Sequence, residues 1–362
     1  MFDNYLDEVI LMVLIPFIFT ALIMPYVIKI SNFIGAMDVP KDNRRMHNKP
    51  MPKLGGLGIF AGFLFGYMIF GESTVQMNSI LIGSFIIVVT GFCDDLKTIV
   101  AKYKFMGQLL AAFTIVFYGQ IQVDGINFFG NFVEFGFLAQ PITIFFILGC
   151  INVIGFLDGL DGLSSGVSSI FFLTIGVIAF MQGKTATLEI ILAFVMLGST
   201  LGFLLYNFYP AKIFAGDIGP QLMGFMIAIV SLLGYKGTLI TSLVIPLIIL
   251  ALPILDTIFA ILRRVLKKKP IYEADKDHFH HQFLKMNFSQ RKTVLVAYTI
   301  TGLFSLATIF AVIGDTNISS AIYFLLLVLA IWFVLHTGIL SEKVSKKVKK
   351  FEEKNFDIHK NI

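Results

Sequence analysis

The stretch LAQPITIFFILGCINVIGFLDGLDG, residues 138–162, decides the fold of this chain. Its part 138–157 is apolar and long enough for a membrane-spanning helix, which needs about 20 such residues. Asp158 and Asp161 follow where that helix would leave the membrane. Carboxylates are costly inside hydrocarbon, so acidic residues that gather at the end of such a segment usually mark function. The stretch therefore predicts a transmembrane helix that delivers two carboxylates to one membrane face.

The same arrangement occurs twice more. Asp94 and Asp95 close the apolar stretch 79–93, and Asp217 follows the apolar stretch 188–206. Of the 362 residues, 57% are hydrophobic and only 14% are charged, which leaves too little polar surface for a soluble domain of this size. We therefore expect an all-α polytopic membrane protein whose loops assemble one active site.

Apolar segments predict about eleven transmembrane helices. They lie at 7–30, 55–71, 79–93, 105–119, 138–157, 163–182, 186–206, 218–234, 238–262, 293–313 and 318–340. Between the fourth and fifth, the alternating segment 120–136 has turn residues at Asp124-Gly125 and Gly130-Asn131 and predicts a small external β-hairpin. Residues 1–340 are predicted to form a single integral-membrane catalytic domain, and 341–362 a basic cytoplasmic tail.

Lysine and arginine orient these helices. With the N-terminus outside and the C-terminus cytoplasmic, all of the 28 lysines and arginines except Lys184 and Lys236 fall on the cytoplasmic side, as the positive-inside rule requires. The same alternation brings every acidic cluster to that side. The net charge of +5 is therefore explained by membrane orientation and not by nucleic-acid binding.

Two acidic motifs are candidates for chemistry. The carboxylates of Asp94 and Asp95 repel each other and need a compensating cation, either a nearby lysine or a divalent metal; an ordinary acidic helix terminus is the alternative. Asp158 and Asp161 are three residues apart, which puts both on one side of a helical turn. The N-terminus of the helix that follows could hold phosphate, and a mere helix-breaking loop is the alternative.

A third motif, residues 207–219, ends in Gly216-Asp217-Ile-Gly. The hard oxygen ligands of Asp217 suit Mg²⁺ or Mn²⁺, which usually keep waters and substrate phosphates in their coordination shells. Lys212 in the same motif could face phosphate or extend its charged end to the membrane interface.

Histidines and basic residues form two further candidate motifs. The cluster of His278, His280 and His281 favours hydrogen bonds to a pyrophosphate over zinc, because no cysteine lies nearby. The loop with Arg44 and His47 could contact phosphate, or be a solvated positive-inside loop. Together with the carboxylates, these motifs fit transfer of a phosphorylated group.

Glycine recurs at every fourth position along the second span, at Gly58, Gly62 and Gly66. Small residues so spaced permit close helix contact. The stripe favours packing within one chain, and a homodimer is the alternative.

The order of these motifs resembles that of the polyprenyl-phosphate N-acetylhexosamine-1-phosphate transferase family over residues 44–291. The matching motifs are Arg-x-x-His, Gly-Phe-x-Asp-Asp, Lys-Phe-x-Gly-Gln, Asp-Gly-x-Asp-Gly-Leu, Asn-x-x-Pro-Ala…Gly-Asp and the histidine loop. The histidine loop is similar to that of the bacterial undecaprenyl-phosphate GlcNAc-1-phosphate transferases. The resemblance implies transfer of sugar-1-phosphate from a UDP-sugar to undecaprenyl phosphate in the bacterial cytoplasmic membrane, with release of UMP and with Mg²⁺ as cofactor.

The resemblance also implies roles for individual residues. By position, Asp217 matches the family's metal ligand and Asp161 is expected to share it. The residues expected to be catalytic are Asp94, Asp95 and His281. The residues expected to bind substrate are Arg44, His47, Lys97, Lys104, Asn152, Asp158, Asn207, His278 and His280.

Two positions depart from the family pattern. Gly155 stands where asparagine is usual, and Pro220 replaces a serine. Neither removes a carboxylate, so we expect activity to be retained. The same reaction with UDP-MurNAc-pentapeptide, a GalNAc donor or a 6-deoxy amino sugar remains an alternative, because loop shape and not motif spacing selects the sugar. A transporter is the alternative class, but transporters commonly carry internal repeats and sites near the midplane, and the sequence has neither feature.

Overall fold

The computed structural model describes residues 2–40, 49–128, 131–183, 187–234, 244–266, 283, 287–313 and 328. This part of the chain is mostly helical. The helices are α1 (Phe2–Ile34), α2 (Gly55–Phe70), α3 (Val75–Leu96), α4 (Ala101–Phe113), α5 (Ala139–Leu157), α6 (Leu163–Met181), α7 (Leu188–Asn207), α8 (Ile218–Gly234), α9 (Val244–Ile249), α10 (Ala251–Leu266) and α11 (Gln290–Ile313). A π-helical turn, Thr114–Tyr118, continues α4, and a 3-10 turn, Gly136–Leu138, leads into α5.

These helices occupy the predicted spans from the first to the tenth. The ninth, 238–262, is divided between α9 and α10, and the eleventh, 318–340, lies outside the described residues except for residue 328. Within the described part, six helices are long and apolar enough to cross a membrane. They are Tyr5–Ile34, Val75–Leu96, Gly136–Leu157, Leu163–Met181, Leu188–Asn207 and Gln290–Val312. The chain is thus a multi-pass helical protein, while the number eleven stays a prediction.

Two small antiparallel sheets complete the described part. Strands β3 (Gly125–Phe128) and β4 (Asn131–Glu134) form the hairpin that the alternating segment predicted. Strands β1 (Met37–Asp38) and β2 (Met51–Pro52) pair in a second sheet that the sequence did not indicate. This second sheet lies directly before α2 in the chain, and it matters for the site described below.

Helices α7 and α8 form the centre of the bundle. Helix α7 packs against α1, α2 and α6, and α8 packs against α5, α3, α6 and α2. Nearly every side chain of both helices is buried, including the polar Ser199 and Thr200. In α7, these two hydroxyls donate to backbone carbonyls of the preceding turn, so no polar atom of theirs is left without a partner in the apolar interior.

The glycine stripe of α2 packs within the chain. A Cβ atom added at Gly58 would lie 1.8 Å from the Met24 side chain of α1, and one at Gly62 would lie 1.9 Å from Thr20 Oγ1. Gly62 also faces Ser199 of α7. The stripe therefore seats α2 between α1 and α7, which confirms the interpretation of packing within one chain and leaves the stripe unavailable as support for a homodimer.

The chain divides into two compact units, Met1–Ile249 and Leu250–Ile362. The first unit contains α1–α9 and both sheets. In the second, α10 and α11 pack against each other. The predicted single catalytic domain over 1–340 stays a prediction, and the predicted tail, 341–362, lies outside the described residues.

Candidate active site

Asp94 and Asp95 lie at the end of α3, and their carboxylates have different hydrogen-bond partners. Successive residues of a helix point about 100° apart, so the Asp94 and Asp95 side chains leave α3 in different directions. Asp94 turns toward α4 and Asp95 turns toward the start of α8. Both side chains are buried, with 3% and 1% of their surface exposed.

Lys104 of α4 holds together the carboxylate–lysine cluster, which we define as Asp94, Lys104 and Asp217. Its Nζ lies 2.5 Å from Asp94 Oδ2 and 3.1 Å from Asp217 Oδ1. Asp94 Oδ1 also accepts a hydrogen bond from the backbone N–H of Ile99 at 2.7 Å. Asp94 and Lys104, from consecutive helices, thus meet Asp217, which is 113 residues later in the sequence than Lys104, at one end of the bundle.

The three members of the cluster differ in exposure. The Asp217 side chain is 40% exposed and that of Lys104 is 26% exposed, whereas Asp94 lies behind them. Partial burial and the neighbouring Asp94 raise the pKa of Asp217, and the Lys104 ammonium opposes that rise. A cation is therefore favoured at this spot, because it offsets two carboxylates held in a partly dry environment.

Both carboxylate oxygens of Asp95 accept hydrogen bonds from the protein backbone. The N–H of Asp217 donates to both oxygens at 3.0 Å, and the N–H of Ile218 donates to Oδ2 at 3.4 Å. The Lys53 ammonium lies 3.7 Å from Oδ1. Asp95 therefore occupies the N-terminus of α8, where free N–H groups and the helix dipole favour an anion.

Asp158 lies in the turn between α5 and α6. Its Oδ1 accepts a hydrogen bond from Ser164 in the first turn of α6. Burial raises the pKa of Asp158 to about 7; the Ser164 hydrogen bond opposes this, while the charges of Asp217 and Asp161 add to it. The charges of Asp161 and Asp217 thus act on the Asp158 carboxyl, and its predicted role in substrate binding stays a prediction.

Asp161 and Asn207 join the loop 158–162 to the loop 207–217. Asp161 Oδ2 accepts from the N–H of Ala211 at 3.0 Å. Asn207 Oδ1 accepts from the N–H of Gly162 and from Ser165 Oγ, each at 3.0 Å, and its Nδ2 donates to the Ile213 carbonyl at 3.0 Å. In the structure, both residues hold the two loops in place, and the predicted roles of Asp161 in metal binding and of Asn207 in substrate binding stay predictions.

A chain of three amides lies beneath the site. Asn152 was predicted to bind substrate, which stays a prediction, whereas the buried Gln108 and Gln221 were missed in the sequence. Asn152 Nδ2 donates to Gln108 Oε1 at 3.1 Å, and Gln108 Nε2 donates to Gln221 Oε1 at 3.1 Å. The chain joins α5, α4 and α8. The glutamine of the Lys-Phe-x-Gly-Gln motif was the available signal for Gln108, whereas Gln221 had none.

Of the two departures from the family pattern, the structure accounts for Pro220 and gives no reason for Gly155. A Cβ atom at Gly155 would meet nothing within 4 Å, so this glycine relieves no crowding. Pro220 stands in the first turn of α8, where a backbone N–H has no helical partner and its loss costs little.

Backbone hydrogen bonds join the segment before α8 to the segment before α2. The N–H of Phe214 donates to Pro52 O of β2, and the N–H of Gly55 and Gly56 donate to Phe214 O and Ala215 O at 2.9 Å. Gly216 has φ +68°, and a Cβ atom there would lie 2.0 Å from Lys53 O. Only glycine fits this turn, so the Gly-Asp motif is where the chain folds tightly enough to present Asp217.

The remaining predicted site residues divide into two groups. Lys97 follows α3 directly and is exposed. The residues Arg44, His47, His278, His280 and His281 lie outside the described residues.

The part of the chain that forms this site is similar to known proteins. Residues 77–235, which carry all members of the cluster, match the model of glycosyl transferase family 4. A Bacillus subtilis (strain 168) protein named probable undecaprenyl-phosphate N-acetylglucosaminyl 1-phosphate transferase is 43% identical over 345 residues, which is 93% of this chain and 96% of that protein.

Two further relatives are more distant. A Mycobacterium tuberculosis (strain ATCC 25618 / H37Rv) decaprenyl-phosphate N-acetylglucosaminephosphotransferase is 29% identical over 76% of this chain and 75% of its own. An Escherichia coli (strain K12) undecaprenyl-phosphate alpha-N-acetylglucosaminyl 1-phosphate transferase is 27% identical over 77% of each. Together with the similarity to the B. subtilis protein along almost the whole length, these matches show that the chain belongs to glycosyl transferase family 4, the family of polyprenyl-phosphate N-acetylhexosamine-1-phosphate transferases that its motifs resemble.

Proposed function

We propose that this protein transfers N-acetylglucosamine-1-phosphate from UDP-GlcNAc to undecaprenyl phosphate, releasing UMP. The observation that carries the proposal is the carboxylate–lysine cluster, in which Lys104 contacts Asp94 at 2.5 Å and Asp217 at 3.1 Å. The names of the B. subtilis and E. coli relatives support the choice of sugar and lipid. The product is the lipid-linked sugar that begins a cell-envelope glycan.

The reaction joins two phosphates. An oxygen of the lipid phosphate attacks the β-phosphorus of UDP-GlcNAc, the bond from that phosphorus to the bridging oxygen breaks, and UMP leaves with the electron pair. Asp94 is the carboxylate placed to take the proton of the lipid phosphate or to orient it, because its partner is a side chain that can move. Lys104 can exchange a carboxylate for a phosphate oxygen, and so position the donor.

The donor set suits Mg²⁺, with Mn²⁺ as an alternative. Mg²⁺ is usually held by one or two carboxylates together with waters and substrate phosphates. Asp217 supplies a partly exposed carboxylate, and no group of three His, Cys, Asp or Glu side chains within the described ranges could hold a metal alone. Asp217 would hold the ion, with Asp161 as the second predicted ligand; when bound, it would offset negative charge on the phosphates.

We further propose that the site faces the cytoplasm of the bacterial cell. The support is the charge distribution: eleven crossings with the N-terminus outside leave only Lys184 and Lys236 on the outer side. A cytoplasmic site would give access to a soluble nucleotide sugar, while the apolar outer faces of the helices lie beside the lipid acceptor.

A panel of radiolabelled UDP-sugars tests the function. The purified full chain is mixed with undecaprenyl phosphate, Mg²⁺ and UDP-GlcNAc, UDP-GalNAc or UDP-MurNAc-pentapeptide, and the labelled lipid and UMP are measured. We expect both products with UDP-GlcNAc. Transfer of another sugar in its place would contradict the sugar assignment, and UMP release without any lipid acceptor would overturn direct attack in favour of a covalent aspartyl intermediate.

A pair of lysine variants tests the role of the carboxylate–lysine cluster. Lys104→Met removes the charge that joins Asp94 to Asp217, and we expect turnover to fall by about 100-fold or more, the scale of losing one preorganised charge at a reacting phosphate. Lys102→Met alters an exposed lysine of the same helix and should leave turnover unchanged. Equal activity in the two variants would remove the support from the cluster.

A further inference from the structure

We propose that Asp95 is a positioning residue that fixes the direction of Asp217 through the N-terminus of α8 and contacts neither substrate nor metal. The inference rests on the proposed function and divides the adjacent pair, Asp94 and Asp95, into two different roles.

The hydrogen bonds of Asp95 account for both of its oxygens. The backbone N–H of Asp217 donates to Oδ1 and Oδ2 at 3.0 Å each, and the N–H of Ile218 donates to Oδ2 at 3.4 Å. These donors belong to the start of a helix and have no partner within it. Because they are backbone groups, they cannot turn away to release the carboxylate to a ligand.

Close packing around Asp95 leaves no path for a substrate. Its side chain is 1% exposed. A Cβ atom at Gly216 would lie 2.4 Å from Asp95 Oδ2, and one at Gly91, in the turn of α3 before Asp95, would lie 2.8 Å from the Cα of Ile218. Lys53 supplies a counter-charge at 3.7 Å. Glycines thus let the backbone close over the carboxylate on two sides.

Asp94 differs from Asp95 in the kind of partner that it has. Its Oδ2 contacts the side chain of Lys104, which is 26% exposed and can rearrange around a phosphate. The Asp217 side chain is 40% exposed, and the backbone N–H of the same residue donates to Asp95. Fixing that N–H fixes the Cα–Cβ direction of Asp217, so Asp95 controls where the exposed carboxylate points.

The test compares Asp95→Asn, Asp95→Glu and Asp94→Asn in the purified full chain. We measure turnover against Mg²⁺ concentration, and binding of Mn²⁺ by electron paramagnetic resonance without any substrate. For Asp95→Asn we expect the half-maximal Mg²⁺ concentration and the Mn²⁺ dissociation constant to rise about 10- to 100-fold, the usual effect of losing a group that orients a metal ligand. Turnover should recover at high Mg²⁺.

The other two variants distinguish the roles of Asp94 and Asp95. Asp94→Asn should lose turnover at every Mg²⁺ concentration. Asp95→Glu should be worse than Asp95→Asn, because the longer side chain has no room beside Gly216. An active Asp95→Glu beside an inactive Asp95→Asn would overturn the proposal, since it would mean that the carboxylate itself is required; so would normal Mn²⁺ binding in an Asp95→Asn protein whose turnover does not recover.

Two further measurements apply if Asp95→Asn does not fold or if the wild-type protein is inactive. If Asp95→Asn does not fold, Lys53→Met loosens the same carboxylate without altering it; a raised half-maximal Mg²⁺ concentration supports the proposal and an unchanged one overturns it. If the wild-type protein transfers no sugar, the proposed function fails while the Mn²⁺ comparison between wild type and Asp95→Asn still decides the role of Asp95. Wild-type protein that binds no Mn²⁺ would overturn the positioning proposal.

Discussion

Single residues of the site differ in what their polar atoms are free to do. Lys104 and Asp217 present partly exposed charges, whereas Asp95, Asp161 and Asn207 direct their polar atoms to backbone groups of neighbouring loops. Residues of the first kind can exchange a protein partner for a phosphate or a cation. Residues of the second kind set the geometry in which that exchange takes place.

Asp217→Asn tests a residue whose partly exposed charge can bind a cation. The amide is a poorer ligand than a carboxylate for a hard cation, and the backbone contacts of residue 217 are unchanged. We expect a folded protein whose Mg²⁺-dependent turnover is abolished, measured by release of UMP from UDP-GlcNAc. Asp124→Asn, in the exposed hairpin segment, is the matched control and should behave as wild type. Near-normal turnover of Asp217→Asn at ordinary Mg²⁺ would refute the metal assignment.

Asn207→Ala tests a residue whose side chain binds the backbone of neighbouring loops. The change removes the hydrogen bonds of Asn207 to the N–H of Gly162 and to the carbonyl of Ile213, which is buried. An unsatisfied buried group costs about 1–3 kcal/mol, so we expect a clearly lower thermal unfolding temperature in detergent. Asn32→Ala, at an exposed position near the end of α1, should leave the unfolding temperature unchanged. A stable Asn207→Ala protein would show that the two loops do not depend on this side chain.

Some elements of the bundle approach each other closely at glycines, where no side chain separates the backbones. Helix α7 meets α1 through Gly198 and Gly202, where an added Cβ would lie 2.2 Å from Val13 O and 2.6 Å from Phe17 O. Both neighbours are backbone atoms, which cannot move without moving the helix. The close α1–α7 contact thus depends on these two glycines.

Gly198→Ala tests this contact. The methyl group would push α1 away from α7, and overpacking of this kind costs about 1–3 kcal/mol. We expect a lower unfolding temperature. Gly149→Ala, in α5, meets nothing within 4 Å and is the matched control; replacing a helical glycine there should be neutral or stabilising by about 0.5–1 kcal/mol. Equal unfolding temperatures for the two variants would contradict the close α1–α7 approach.

The whole molecule is organised by its position in the membrane. The predicted topology places the hairpin outside and the histidine loop inside. We expect a membrane-impermeant thiol reagent to label Asn127→Cys in intact cells but Lys285→Cys only after lysis, each in a chain that also carries Cys93→Ser and Cys150→Ser. Labelling of both positions in intact cells would remove one predicted span, and the shared face of the acidic clusters would then need another explanation.

Much of this architecture could be predicted from local sequence. Apolar length predicted the helices from the first to the tenth span, and alternation with turn residues predicted the hairpin of β3 and β4. These predictions succeed because hydrophobic length and residue period act over neighbouring residues. The lysine and arginine count also predicted that Asp94, Asp158 and Asp217 share one membrane face. The structure brings Asp94 and Asp217 together at Lys104, and the shared membrane face stays a prediction.

Only the tertiary structure decided which partner each polar residue takes. The sequence presents Asp94 and Asp95 as an equivalent pair, yet one contacts Lys104 and the other binds the start of α8. It likewise offers no reason for Gln108 to meet Gln221 across the bundle. Motif spacing fixes distances along the chain, whereas a hydrogen bond depends on the rotation and depth of two helices that are far apart in sequence. Those quantities arise from the packing of α3, α4 and α8 together, and no single segment contains them.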